Sequence, residues 1–364
     1  MVFVSITIYY LLLLGFSSSF VAEAQAEDYK VFLPIIKKEI IPWHENKFIG
    51  LYLPYYLNEA NVQKYMPLAD QAAGGIKHSV LAWFIDIEEN TNYNLPTQLE
   101  ASWQSGYTSF VNIGTSINAI DIAKGKYDSQ LRTLAKAYVN WVNLGDSRRA
   151  FFAPFPEMNG NWTTYGSVDG EAVTPEDFMS AYKHIQSIFE DEGITREDVW
   201  WAFAPNGWSE TGDEFEKYYP GDDLVDVVSF SSYNYGFCRN VRKDWRVWAE
   251  YELVLKPYVD RMVVMAPHKP IIIAQTGTVG EYSDPNVINY DKKNKWIIDS
   301  YNYLSNEPNV IGILYFDFNK LNEGDCDFRL TQAEPIFEGY SQALVGSNFG
   351  YLSNEELTNM GFGR

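Results

Sequence analysis

The run Phe155-Pro156-Glu157-Met158-Asn159-Gly160-Asn161-Trp162 sets one carboxylate between an apolar stretch and a group of amide, glycine and indole side chains. Residues 150–155 are too short and too apolar for a surface helix, and Pro154 and Pro156 confine them to a strand end. Glu157 is therefore expected at the carboxyl end of a strand, where parallel α/β folds keep their chemistry. Flanked by Met158 and Trp162, it suits a proton donor to a leaving oxygen, the acid step in breaking a sugar bond. Asn159 beside it is expected to bind a hydroxyl. The plainer alternative, a charged residue capping a loop, fits poorly with such apolar neighbours upstream.

The chain has 364 residues, and parallel barrels occupy about 250 residues or more as one unit, so length does not require two domains. Hydrophobic residues make up 46% and aromatic residues 16%, enough for a sizeable core with rings left over for a cleft. A net charge of −20, uninterrupted by any Lys/Arg cluster, disfavours nucleic acid, anionic lipid and acidic polysaccharide. The expected partner is a neutral polysaccharide or oligosaccharide, met by a monomer. Residues 1–26 hold an apolar stretch through Leu11-Leu12-Leu13-Leu14 and end in Ala22-Glu23-Ala24-Gln25-Ala26, which offers small-x-small cleavage sites. They read as an export signal, with an uncleaved anchor as the alternative, so a secreted or cell-surface protein is expected, with no other membrane association. A linker follows at 27–46.

From residue 48 onward, short β-rich apolar runs alternate with amphipathic stretches, the mark of repeated βα units on a parallel sheet. Eight strands are expected, at 48–53, 79–85, 109–113, 150–155, 199–204, 227–233, 270–275 and 310–316, separated by helices such as 128–144, 175–192 and 292–305. Thr174 ahead of Pro175, Glu176 and Asp177 supplies an N-cap, a first-turn proline and first-turn acids. Eight units imply closure into one (β/α)8 TIM barrel over 47–345, followed by a C-terminal tail at 346–364. Loops after the strands of such a barrel carry function, and here they hold Tyr55, Tyr56, Asp86, Glu88, Asn112, Glu157, Asn159, Asn206, Trp208, Tyr233, Tyr235, Gln275, Asp317 and Asn319. Any one of these alone reads as a solvated loop residue. Their joint placement points to a cleft of polar and aromatic groups, a composition that suits sugar rings.

With Glu157 inside Pro-Glu-Met-Asn-Gly-Asn-Trp after the fourth strand, and Trp200-Trp201-Ala202-Phe203-Ala204-Pro205-Asn206 as the fifth, the chain resembles glycoside hydrolase family 26. That family holds β-mannanases and related β-glycanases, and the resemblance covers roughly residues 48–318. It implies a hydrolase acting on O-glycosidic bonds of a neutral, mannan-like β-linked polysaccharide, without a cofactor. By this resemblance Glu157 matches the acid/base, and Trp162 and Trp208 match sugar-stacking positions. Tyr233 or Tyr235 matches the tyrosine that hydrogen-bonds the nucleophile, and Asn206 joins the substrate-binding set. Two positions depart from the family pattern. Pro156 stands where a His usually precedes the acid/base, and Gln275, in Ile273-Ala274-Gln275-Thr276-Gly277, stands where a retaining glycosidase carries its nucleophilic carboxylate. An amide is neutral and forms no glycosyl-enzyme bond of useful reactivity, so the family's double displacement is expected to fail.

Three readings of Gln275 stay open. Asp86, Glu88 or Asp317 could activate water for single-step inversion from about 6.5–9.5 Å away from Glu157, with Gln275 orienting that water. The barrel could bind sugar without cutting it. The amide could be an engineered trap, for which the surrounding strand offers no support. Cys238 follows the sixth strand and Cys326 the eighth, and an even count in an exported chain favours a disulfide between those loops. His44, His78, His184 and His268 show no metal-binding spacing, so no catalytic metal is expected. Glu323, Asp325 and Asp327 could chelate calcium but read better as a solvated acidic loop. Trp83, Trp103, Trp141, Trp200, Trp201 and Trp296 read as core, and Trp162, Trp208, Trp245 and Trp248 as stacking candidates. The sequon Asn161-Trp162-Thr163 lies inside the expected cleft and reads as a chance match.

Overall fold

The eight apolar runs become eight parallel strands in the computed structural model, which describes residues 46–166, 173–209, 212, 214–330 and 338–362. They are β1 (Lys47–Tyr52), β2 (Val80–Asp86), β3 (Thr108–Gly114), β4 (Ala150–Pro154), β5 (Val199–Phe203), β6 (Val227–Asn234) and β7 (Ile271–Thr278). A hairpin of β8 (Glu281–Asp284) and β9 (Val287–Ile288) intervenes before the eighth barrel strand, β10 (Val310–Phe316). Each barrel strand pairs in parallel with the next, and β10 returns to β1 from Phe48↔Gly312 to Tyr52↔Phe316. Closure leaves the eight-strand ring without a free edge. This is the (β/α)8 barrel that the alternation implied, with strand ends displaced by at most one residue except at β7, which continues to Thr278.

Successive side chains of a strand point to opposite faces, and here both faces are apolar because helices cover the outside. Phe48, Val80, Phe110, Phe151, Trp200 and Ile272 fill the interior, whereas Ile49, Leu81, Val111, Phe152 and Trp201 pack outward into the core shared with the helices. The helix Pro175–Asp191 begins as its sequence indicates. The Thr174 hydroxyl accepts from the Asp177 backbone N–H at 3.1 Å, and the Asp177 carboxylate accepts from the Thr174 N–H at 3.1 Å, a reciprocal cap.

The segment 346–364 is expected as a trailing tail, but its described residues, 346–362, complete the barrel. Phe349–Gly350 forms β11, parallel to the start of β1, and the helix Asn354–Asn359 carries Leu357, Met360 and Phe362 into the interior cluster. The Phe362 ring lies 5.4 Å from Trp200 and 5.8 Å from Phe151. Both of those rings sit near the amino ends of their strands, where the barrel would otherwise open to water, so burying them drives the segment inward. The expected leader 1–26 and all but the last residue of the linker 27–46 lie outside the described residues. Among the described residues, no helix is long and apolar enough to cross a membrane.

Candidate active site

The β4 strand ends in a strained turn that aims Glu157 outward. Phe155 and Glu157 both adopt left-handed backbone, with φ of 54° and 59°, a region unfavourable for residues carrying a Cβ. Surrounding bonds hold the turn in place. The Glu157 N–H donates to Ala204 O at 2.7 Å, Gly160 N–H to Glu157 O at 2.9 Å, and the Tyr165 hydroxyl to Pro156 O at 2.9 Å. The carboxylate is fixed at both oxygens: Oε2 accepts from Trp162 Nε1 at 2.9 Å, and Oε1 accepts from Asn206 Nδ2 at 3.1 Å and from the Ser231 hydroxyl.

Asn159, expected to meet a substrate hydroxyl, is only 1% exposed and turns to the protein instead. Its Nδ2 donates to Asn206 O and its Oδ1 accepts from Asn206 N–H, both at 2.8 Å. This reciprocal pair satisfies the backbone just past β5 and so directs the Asn206 side chain onto Glu157. Asn159→Ala leaves an N–H and a C=O unpaired there, and is expected to lower stability by about 2 kcal/mol, measured by urea unfolding.

Opposite, β7 carries one extra residue relative to both neighbours. Phe230 faces Ile273 but Ser231 faces Gln275, and the pairing with β10 slips likewise between Ile313 and Tyr315. This bulge sets the direction of Gln275, which is 4% exposed and reaches the cleft. Gln275 Oε1 accepts from the Tyr233 hydroxyl at 3.0 Å. Burial first, and then the charge of Glu157, push the Tyr233 phenol well above its ordinary pKa, so it remains a donor.

Glu157 and Gln275 share a cleft of about 1000 Å³ with Asn206, Tyr233 and Tyr235. Trp162 is 50% exposed, and Trp208 and Trp245 meet edge to face at 5.1 Å, with the Arg242 guanidinium 4.4 Å from the Trp245 ring centre. Exposed aromatic faces beside a few convergent polar groups form a surface suited to the C–H faces of pyranose rings. Trp248, also expected to stack, packs its ring against Tyr282 at 5.4 Å and does not line this cleft. Cys238 and Cys326 form the expected disulfide, with Cα atoms 6.0 Å apart. It ties the loop bearing Arg242 and Trp245 to the loop bearing Glu323 and Asp325, all four of which line the cleft.

None of the three carboxylates expected as alternative bases lines the cleft. Asp86 accepts from its own loop, at Glu88 N–H, 2.8 Å away, and Glu88 accepts from Ser116 N–H at 3.0 Å. Asp317 is 4% exposed, accepts from Leu330 N–H at 2.5 Å, and acts electrostatically on buried Lys293. Burial lowers the pKa of Lys293 to about 8 against the opposing pull of Asp327, Asp317 and Glu281. The loop read as a possible calcium site is engaged in ion pairs, Asp325 with Lys320 at 3.1 Å and Asp327 with Arg329 at 2.7 Å. Among the described residues, no group of three or more His, Cys, Asp or Glu side chains could hold a metal ion. Ser231 escaped the sequence reading, although its spacing two residues before Tyr233 puts both on one face of β6.

The sequence model of "Glycosyl hydrolase family 26" matches residues 68–313. Endoglucanase H of Acetivibrio thermocellus is 24% identical over 307 residues, which cover 81% of this chain and 30% of that protein. The chain thus spans less than a third of that relative's length. Among solved structures, GH26C from Muricauda sp. MAR_2010_75 superposes with a TM-score of 0.58 at 14% identity, covering 87% of this chain and 89% of that one. A GH26 β-mannanase from Bacteroides ovatus gives 0.57 at 13% identity, covering 86% and 93%. A mannanase of Bacillus subtilis gives 0.53 at 16% identity, covering 85% and 87%. At these identities the structural likeness speaks for the fold.

Proposed function

Because the chain belongs to glycosyl hydrolase family 26, we propose that it takes a neutral, mannan-like β-linked polysaccharide along the aromatic cleft, where Glu157 protonates the glycosidic oxygen. The observation carrying this reading is the carboxylate of Glu157, held by Trp162, Asn206 and Ser231 on the wall of a cleft whose other polar focus is the Tyr233–Gln275 pair. Mannanases among the similar structures support the sugar class. Gln275 supplies no nucleophile, so the route available is direct attack by water at the anomeric carbon while the Glu157 proton passes to the departing oxygen. The attacking water gives its own proton to solvent water, a far weaker base than a carboxylate, so the proposed turnover is slow. The apolar leader and the Cys238–Cys326 bond both suit action outside the cell.

A second reading, binding without cleavage, is favoured by one observation: Asp86, Glu88 and Asp317 all lie off the cleft lining. The two readings separate in one pair of measurements. Incubation with mannans, β-glucans and xylans, followed by reducing-end assay, is expected to show slow release from mannan that Glu157→Gln abolishes. Affinity electrophoresis in the same polysaccharides is expected to show retardation by mannan. Retardation without release assigns a binding barrel, and neither effect with any polysaccharide removes both readings.

A further inference from the structure

Gln275 is 4% exposed, reaches the cleft and accepts the Tyr233 hydroxyl at Oε1, 3.0 Å away. A carbonyl oxygen has two lone pairs, so Oε1 keeps one acceptor position, and Nε2 makes no hydrogen bond among the described residues. A side chain more than nine-tenths buried thus faces the cleft with hydrogen-bonding capacity unused. Strand β6 sets its distance from the acid. Ser231 and Tyr233 lie on one face of that strand, two residues and about 7 Å apart, and bind Glu157 and Gln275 respectively. The acid and the amide therefore flank a gap on the scale of one sugar ring. Beside the amide the wall is apolar. The Tyr233 ring meets Phe316 at 5.5 Å and Phe328 at 5.3 Å, Tyr52 stacks on Phe316 at 4.7 Å, and all four line the cleft.

A neutral amide acceptor next to a group of rings is the complement of a secondary amide carrying a methyl, which is the acetamido group of an amino sugar. An anionic nucleophile suits the place less, because Glu157, Glu323 and Asp325 all line the same cleft. We propose that the site also cleaves β-linked 2-acetamido-2-deoxyhexoses whose acetamido group is trans to the glycosidic bond, and that this group is the nucleophile position 275 does not supply. The acetamide carbonyl oxygen bonds to the anomeric carbon, the bond to the departing oxygen breaks, and that oxygen takes the Glu157 proton. Gln275 Oε1 accepts from the acetamide N–H, which becomes positive as the five-membered oxazolinium ring closes. Water then adds to the anomeric carbon and gives its proton to the Glu157 carboxylate, and the electrons of the broken ring bond return to the acetamide. One carboxylate serves as acid and then as base, and the tethered carbonyl replaces a freely diffusing water. This inference rests on Glu157 as the acid of the main cleft and not on mannan as substrate.

Incubating the full chain with the linear β-1,4-linked hexamer of N-acetylglucosamine, and with the matching glucose hexamer that lacks the acetamido groups, tests it. Chromatography is expected to show the acetamido hexamer cleaved at least about a hundredfold faster. Proton NMR is expected to show the β anomer of the product first, whereas direct attack by water gives the α anomer. Gln275→Leu is expected to lower kcat on the acetamido hexamer at least about a hundredfold, and Tyr233→Phe, which tests the site should Gln275→Leu fold poorly, about tenfold. Calorimetry is expected to show the thiazoline of N-acetylglucosamine, a stable likeness of the cyclised intermediate, binding at least about tenfold more tightly than N-acetylglucosamine itself. Equal rates on the two hexamers, the α anomer formed first, or no preference for the thiazoline overturns acetamide participation while leaving Glu157 as the acid. An acetamido hexamer left intact overturns it as well, even where mannan is cleaved. If neither hexamer nor mannan is bound or cleaved, both readings fall together.

Discussion

Gln275→Glu is expected to raise hydrolysis of linear β-mannan by at least about a thousandfold. The substitution exchanges an amide for a carboxylate of the same shape, at a position that the β7 bulge already aims into the cleft and that the Tyr233 hydroxyl already addresses at 3.0 Å. The new carboxylate attacks the anomeric carbon as Glu157 protonates the departing oxygen. Glu157, then ionised, takes a proton from the water that releases the sugar. Initial rates by reducing ends, with the first-formed anomer read by proton NMR, are expected to show retention. Glu157→Gln in the same background is expected to return the rate to its starting level. The double displacement needs one of these two carboxyl groups ionised and the other protonated, so the variant's rate is expected to follow a bell-shaped pH profile. An unchanged rate, in a variant that still binds mannan, would remove position 275 from the chemistry.

Removing the disulfide by Cys238→Ala and Cys326→Ala is expected to lower stability by about 4 kcal/mol. The bond closes a span of 88 residues, and releasing so long a loop in the unfolded chain restores much conformational entropy. Both cysteines are fully buried against Val279, Phe316 and Phe328, so the paired loops also lose apolar packing. At this chain length the midpoint of thermal unfolding is expected to fall by about 5 °C, measured by circular dichroism. The two freed loops carry Trp245 and Glu323, which line the cleft, so retardation in mannan gels is expected to weaken as well. An unaltered midpoint would show that the loops are held together without the bond.

The barrel was largely legible before any coordinates. Eight apolar runs, each followed by a polar or aromatic loop, carry their own boundaries, and the Thr174 cap is written in four consecutive residues. Glu157 was equally plain, because two prolines and a short apolar run restrict it to a strand end whatever surrounds it. Less legible was the role of residues that look alike in text. Asn159 and Asn206 are both amides past a strand end, yet one clamps backbone and the other binds Glu157. Asp317 follows its strand as Glu157 nearly does, yet it lies beside buried Lys293 rather than in the large cleft. The hairpin Glu281–Ile288 and the inward turn of Phe362 left no periodic signal to read.

The eight barrel strands and the identity of residue 275 follow from the chain alone, since an apolar run between turn residues is a local property and an amide is neutral in any fold. Which side chains meet was decided by closure. The bulge at Ala274–Gln275, the pairing of β10 with β1 and the Cys238–Cys326 bond set directions through contacts between segments far apart in the chain. A displacement of one residue in any of these pairings would turn a cleft group into the core, because neighbouring side chains of a strand face opposite ways.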